Sequence, residues 1–217
     1  MQAFTTTPNL ENAGKSFFIG LDLGQVNDYT AICVLESQWV KTDEKDAFGN
    51  DIAHYELRVV HLERHLGWLY TDVAERVRQL RVSEKLREVQ RHRDTSTWTE
   101  SYPKVVVDAT GVGRPVVDML KKSGVAHAAV TITAGEHETR AGVSWRVPKR
   151  ELVSRVQLAL ATGRLKISPH LELAETLREE LRNFKIKVNI ATGHDSYEAW
   201  RENENDDLVL SSRLGFR

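Results

Sequence analysis

Cysteine is nearly missing from this 217-residue chain: Cys33 stands alone, so no internal disulfide can form and nothing points to an oxidising compartment. It lies in the apolar run TAICVLE, which suits a small buried hydrophobe better than a nucleophile. Long hydrophobic runs are missing too. None approaches the ~20 residues of a membrane-spanning helix, so no membrane partner is expected. The opening MQAFTTTPNLENAGK lacks the basic-then-apolar order of a secretory signal and reads as a polar leader over residues 1–15. A surplus of one charge is absent as well: the net charge is −1, so any polyanion must be held by local patches. No Gly-x-x-x-x-Gly-Lys-Ser/Thr loop occurs, which excludes a P-loop ATPase.

With 41% apolar and 28% charged residues, the remainder has the balance of one well-filled soluble domain, placed at 16–217. Strand-like runs fall at 16–23, 29–36, 54–62, 104–108 and 128–132. The first three follow one another closely, as in an antiparallel meander, with the loop 37–53 as a surface hairpin end. A helix is predicted over 68–92 from the spacing of Leu69, Val73, Val77 and Leu80. The strand KVVVD then enters a glycine turn, a helix to about 123 and another strand, a βαβ crossover that sets two strands parallel. Pro115 belongs to the first turn of that helix and Gly124 to its end. Helices are also predicted at 148–162, closed by Gly163, and at 169–183, with Ser168 as N-cap. A hairpin over 184–200 and a short helix from Asn205 complete the chain. The fold class is therefore α/β: a mixed five-stranded sheet, meander plus parallel extension, with helices on both faces.

Charge in the strands carries the functional signal. Asp22 lies in FFIGLDLG, a run that otherwise reads as buried strand, where a carboxylate needs a partner or a cation. Asp108 closes KVVVD at the mouth of a βα turn, the edge where open α/β sheets bind ligands. Asp206 and Asp207 fall in the first turn of the last helix, favourable for its dipole. Each has a purely structural account: a turn residue, an Asx turn, and helix-start solubilisers. Together they describe three acids on separate elements with no cysteine or spaced histidine pair beside them. That is the donor set of a hard cation such as Mg²⁺ or Mn²⁺. Two such ions, ~3.5–4 Å apart, can clamp the attacking and leaving oxygens of a phosphodiester.

Two basic stretches stand out. That over 76–93 reads as a solvated helix face; that over 138–166 adjoins the acids and is the better placed to meet phosphate. His54, His61 and His65 read as structural, His194 as auxiliary at most, and Trp68, Trp98, Trp145 and Trp200 as packing.

The segments IGLDLGQVNDYTAICVLE, VVVDATGVGRPVVDML, VPKRELVSRVQLALATGRLKI and GHDSYEAWRENENDDLVLS closely resemble the nuclease domain of tailed-phage large terminase subunits, over about residues 16 to 212. IGLDLG alone also opens sugar kinases, whereas DATGVGRPV followed by YEAWRE and DDLVLS is far more specific. The resemblance implies a ribonuclease H-like fold and metal-dependent cutting of double-stranded DNA concatemers during genome packaging, in the host cytoplasm. It implies Asp22, Asp108 and Asp207 as catalytic metal ligands, with Asp206 auxiliary and two Mg²⁺ or Mn²⁺ ions. It places Arg140, Arg146 and Lys149 near DNA, and gives as partners the packaging ATPase domain, the small terminase subunit and the portal. Competing readings are a Holliday-junction resolvase of the same fold, a DNA-binding packaging module with little cutting of its own, and an actin-like ATP-binding fold, which needs two such halves.

Overall fold

The computed structural model describes residues 15–24, 28–91, 98–111 and 113–190. At its centre β1 (Ser16–Asp22) pairs antiparallel with β2 (Tyr29–Lys45), which pairs antiparallel with β3 (Asp51–Leu66). Helix α1 (Tyr70–Arg81) leads through a 3₁₀ turn at Glu84–Leu86 to a separate two-stranded ribbon, β4 (Glu88–Arg91) with β5 (Trp98–Ser101). Next, β6 (Lys104–Asp108) lies parallel to β1, and α2 (Gly113–Lys122) crosses over to β7 (His127–Thr133), parallel to β6. Then come β8 (Thr139–Ala141), β9 (Ser144–Pro148), α3 (Lys149–Ala161), β10 (Leu165–Ile167) and α4 (Ala174–Ile190). The large sheet runs β10-β3-β2-β1-β6-β7-β9-β8.

Alternation along the central strands builds two cores. Ile19, Leu21, Ile32, Val34, Val105 and Val107 face α1 and α2. Ala31, Cys33, Leu35 and Val59 face α3 and α4, while Val106, Val130 and Val147 meet Leu152 of α3. Both faces of β6 are thus covered, which is why three consecutive valines suit a central parallel strand. Helices α2 and α3 each stop at a glycine with positive φ, Gly124 (φ 68°) and Gly163 (φ 63°), as their sequence positions predict.

The expected meander and parallel extension are present as β3-β2-β1-β6-β7; β9, β8 and β10 widen five strands to eight. Those three are short, and β8 is exposed throughout, so no alternation marked them. Residues 37–53 are a hairpin end, as expected, but the strands run farther into it than the sequence suggests, leaving only the stretch between Lys45 and Asp51 outside them. Strand pairing continues past the sheet through Trp39↔Tyr55, whose rings lie 3.7 Å apart, to Lys45↔Asp51. Helix α1 ends at Arg81 rather than 92, and Leu69 is exposed ahead of it. Between Arg81 and Glu88 only Leu86 reaches the core, so little holds a longer helix down.

Helix α4 starts at Ala174, not 169; Ser168 Oγ accepts from the His170 N–H in a turn before it. It runs on to Ile190, so the first arm of the predicted hairpin is helical. No glycine or proline interrupts 174–190, and helix propagation outweighs the period-two alternation of FKIKVNI. The rest of that hairpin and the last helix lie outside the described residues. No helix among the described residues is long and apolar enough to cross a membrane.

One polar cluster ties β3 to α1. Arg76 donates to both Glu63 oxygens (2.6–3.1 Å), His61 Nε2 meets Oε1 at 2.5 Å, and His65, stacked on Trp68, lies 3.3 Å from Oε2. Burial alone would raise the Glu63 pKa, but the hydrogen bonds from His61 and Arg76 and the Arg76 charge bring it from 4.5 to about 2. A depressed folded pKa gives stability that is present above 4.5 and lost as pH falls towards 2. Thermal melts across that window are expected to fall more steeply for the native chain than for Glu63→Gln; equal slopes would show that Glu63 contributes nothing to acid sensitivity.

Candidate active site

The parallel register of β1 and β6 ends at Leu21↔Val107, and both side chains point into the α1/α2 core. The next residues, Asp22 and Asp108, therefore point to the opposite face, side by side on adjacent strands about 4.8 Å apart. Both stand where the chain leaves the sheet at the C-terminal edge of the parallel strands. Asp22 is half-buried, and Asp108 is 7% exposed.

Local structure holds both in place. Asp108 Oδ1 accepts from the Thr110 N–H at 2.7 Å, the expected Asx turn. Thr110 Oγ1 in turn accepts from the Ile132 N–H (2.8 Å), and the Ala109 N–H donates to the Val130 carbonyl (2.8 Å), pinning the turn to β7. The structural and chemical readings of Asp108 are thus compatible, since the turn fixes the carboxylate. After Asp22, the Gly24 N–H donates to the buried Thr30 hydroxyl at 3.2 Å. A Cβ on Gly24 would stand 2.4 Å from the Asp28 carbonyl oxygen. Gly24→Ala must push the backbone apart just beyond Asp22, and we expect it to cost about 1–3 kcal/mol with cleavage reduced alongside. Urea unfolding and plasmid cutting on the same preparation check this; unchanged stability would show that the backbone at Gly24 and Asp28 yields freely.

Lys149 opens α3 directly after Pro148, which pairs with Thr133 at the end of β7, so it lies on the same sheet edge as the acids. Arg146 pairs with Thr131 one residue after Trp145, so it faces away from the side shared by Asp108, Val130 and Trp145. Arg140 lies opposite Trp145 on the outermost strand, its guanidinium 4.5 Å from the ring centroid. Three strand spacings separate it from Asp108, roughly 14 Å. The structure therefore sets Asp22 and Asp108 side by side, places Lys149 on the same sheet edge but two strands away from Asp108, and sets Arg140 and Arg146 apart. Asp206, Asp207 and His194 lie outside the described residues.

Two charged residues that the sequence did not single out share the carboxylate face. Arg64 lies across from Ala31, which lies across from Asp22, so all three belong to one row of the sheet. Its Nη1 is 3.9 Å from Glu180 Oε1 of α4, and its guanidinium sits 4.0 Å over the Tyr29 ring. The available signal was a glutamate inside the apolar stripe Ala174, Leu177, Leu181.

Asp22 and Asp108 supply adjacent oxygen donors with no soft ligand, a set that fits a hard divalent cation. Among the described residues no group of three or more histidine, cysteine or acidic side chains could hold a metal, so a third ligand would come from elsewhere in the chain. Cys33 is fully buried and burial pushes its thiol pKa far up, which removes it as a nucleophile.

No protein-family model matches the chain, and no curated protein matches it. Among solved structures, the large terminase nuclease from thermophilic phage G20c aligns with a TM-score of 0.51 at 19% identity, over 93% of this chain and 81% of that one. The g2p large terminase nuclease domain of bacteriophage SPP1, crystallised with Mn, aligns with a TM-score of 0.46 at 12% identity, over 100% of this chain and 93% of that one. The likeness to the G20c protein establishes the fold: a ribonuclease H-like mixed sheet with helices on both faces.

Proposed function

We propose that the chain is a divalent-metal-dependent endonuclease that cuts double-stranded phage DNA during genome packaging. The observation that carries this is the adjacency of Asp22 and Asp108 on one face, at the ligand edge of a sheet whose fold is shared with a phage terminase nuclease. Asp22 and Asp108 would hold the metal, with Asp207 as third ligand and Asp206 auxiliary. When bound, two Mg²⁺ or Mn²⁺ ions supply activation of a water and charge neutralisation at the scissile phosphodiester. Lys149, on the same sheet edge as the acids but two strands away, holds a backbone phosphate outside the metal site; Arg146 is a further DNA contact. Arg140, which the resemblance placed with them, is assigned below to a different surface because of its place against Trp145. In a packaging motor the domain would work with an ATPase domain, a small subunit and a portal, in the host cytoplasm. An actin-like kinase is disfavoured because the described residues hold one such sheet, not two.

The test incubates supercoiled plasmid with the chain and Mn²⁺ or Mg²⁺, alongside a four-way junction. Nicked and linear plasmid, abolished by EDTA, is expected, with cutting nearly independent of sequence and weakening as salt rises. Junction cleavage with inert plasmid would overturn the packaging reading in favour of a resolvase. On a helix adjacent residues point about 100° apart, so Asp206 and Asp207 cannot face one site equally. Asp207→Ala is therefore expected to lose more activity than Asp206→Ala in a metal titration, and the reverse order would shift the ligand by one residue.

A further inference from the structure

The β2–β3 ribbon projects past the start of β1, which pairs no farther than Ser16↔Ser37. From Gln38 to Lys45 it extends roughly 25 Å at ~3.3 Å per residue. Its tip is acidic: Asp43, Glu44, Asp46 and Asp51 against Lys45. Asp46 builds the turn, accepting from the Phe48 and Asn50 N–H groups at 2.8 Å each, and Asp51 is paired with Lys41 and Lys45. Asp43 and Glu44 are exposed and make no ion pair among the described residues. The turn holds Phe48 out at 90% exposure. An acidic finger ending in a bare phenyl ring is repelled by DNA and needs an apolar socket with a cationic rim.

Such a socket exists on this chain. A groove of about 590 Å³ opens on the carboxylate face at the other end of the strands, where Lys104 and His127 begin β6 and β7 and Phe18 stands in the first half of β1. Val143 and Trp145 give it apolar walls, and Arg81, Lys104, Arg140 and Arg155 ring it against one acid, Glu138. Arg155 is engaged by Glu151 (3.0 Å) and Glu138 (3.9 Å), so the cationic surplus rests on the other three. Each of those lies over an aromatic ring: Arg81 over Tyr102 at 5.4 Å, Lys104 over Phe18 at 5.3 Å, Arg140 over Trp145 at 4.5 Å. Those rings present cations rather than bare faces, which suits carboxylates flanking an apolar plug better than stacked nucleic-acid bases.

We propose that the ribbon tip of one copy docks Phe48 into this groove of a second copy, with Asp43 and Glu44 against Arg140 and Lys104. Both features lie at the same end of the parallel strands, which lets two copies exchange tips reciprocally and close a two-fold dimer. This contact is independent of the nuclease assignment. Sedimentation of the full chain over a concentration series should show a monomer–dimer equilibrium that weakens with salt. Phe48→Ala and Arg140→Glu, each checked for unchanged circular dichroism, should raise the dissociation constant at least about tenfold. Adding Glu44→Lys to Arg140→Glu should recover part of that loss, because the reversed charges face each other again. A monomer at every concentration, or a dimer indifferent to Phe48→Ala, overturns the proposal. So does a monomer that binds a labelled single-stranded oligonucleotide through Arg140, which would make the groove a nucleic-acid site.

Discussion

Asp22→Asn and Asp108→Asn are each expected to reduce metal-dependent plasmid cleavage to background, a loss well beyond the 10–100-fold typical of altering a group that only supports a metal ligand. The two side chains are neighbours on adjacent parallel strands, so neither can stand in for the other without moving the sheet. Asparagine keeps the size and one acceptor oxygen but loses the charge that a hard cation requires. In Asp108→Asn the side-chain carbonyl can still accept from the Thr110 N–H, so the turn that fixes this position should survive. The variants should therefore fold, and removing one of two adjacent like charges should not lower the melting temperature. Cleavage and melting measured on one preparation separate the roles. Full cleavage by either variant sinks the metal assignment, whereas a lost fold would assign the residue to structure.

What the sequence conveyed of this site follows from how its residues are held. Asp22 and Asp108 were legible because each interrupts an apolar strand, and strand parity carries a side chain to a definite face without knowledge of anything distant. Their adjacency needed one further step, the parallel pairing of β6 with β1, which no local pattern announces: the glycine turn and Pro115 mark only the crossover from β6 to β7. The central strands were legible for the same reason: they are buried on both faces, so composition alone marks them. The outer strands were not. Strand β8 is exposed throughout and only three residues long, and β10 owes its place to β3 beside it rather than to any pattern of its own. The ribbon beyond the sheet was legible as a hairpin end, but the length of its strands was not, because a two-stranded element with both faces in water shows no hydrophobic alternation. Arg64 and Glu180 were missed because each is an ordinary charge in its own segment, and only packing α4 on the sheet brings them together.

That pair carries the largest expected effect on stability. The Arg64 and Glu180 side chains are 13% and 6% exposed, and their closest charged atoms lie 3.9 Å apart between β3 and α4. At that separation the contact is an ion pair rather than a good hydrogen bond, so its net worth over an apolar pair is small. Deleting one member is another matter, because a buried charge keeps its desolvation cost when its partner goes. Glu180→Leu is therefore expected to cost about 3–5 kcal/mol, read as a lower urea midpoint at unchanged slope. Arg64→Met should cost a similar amount by leaving the carboxylate behind. The double variant Arg64→Met/Glu180→Leu should recover most of the loss and approach the native value, since well-packed apolar replacements of buried pairs are often neutral. The coupling energy from the double-mutant cycle decides the matter. Two small, additive losses would show that water reaches the pair and that α4 is held to the sheet chiefly by apolar contacts such as those of Leu177 and Leu181.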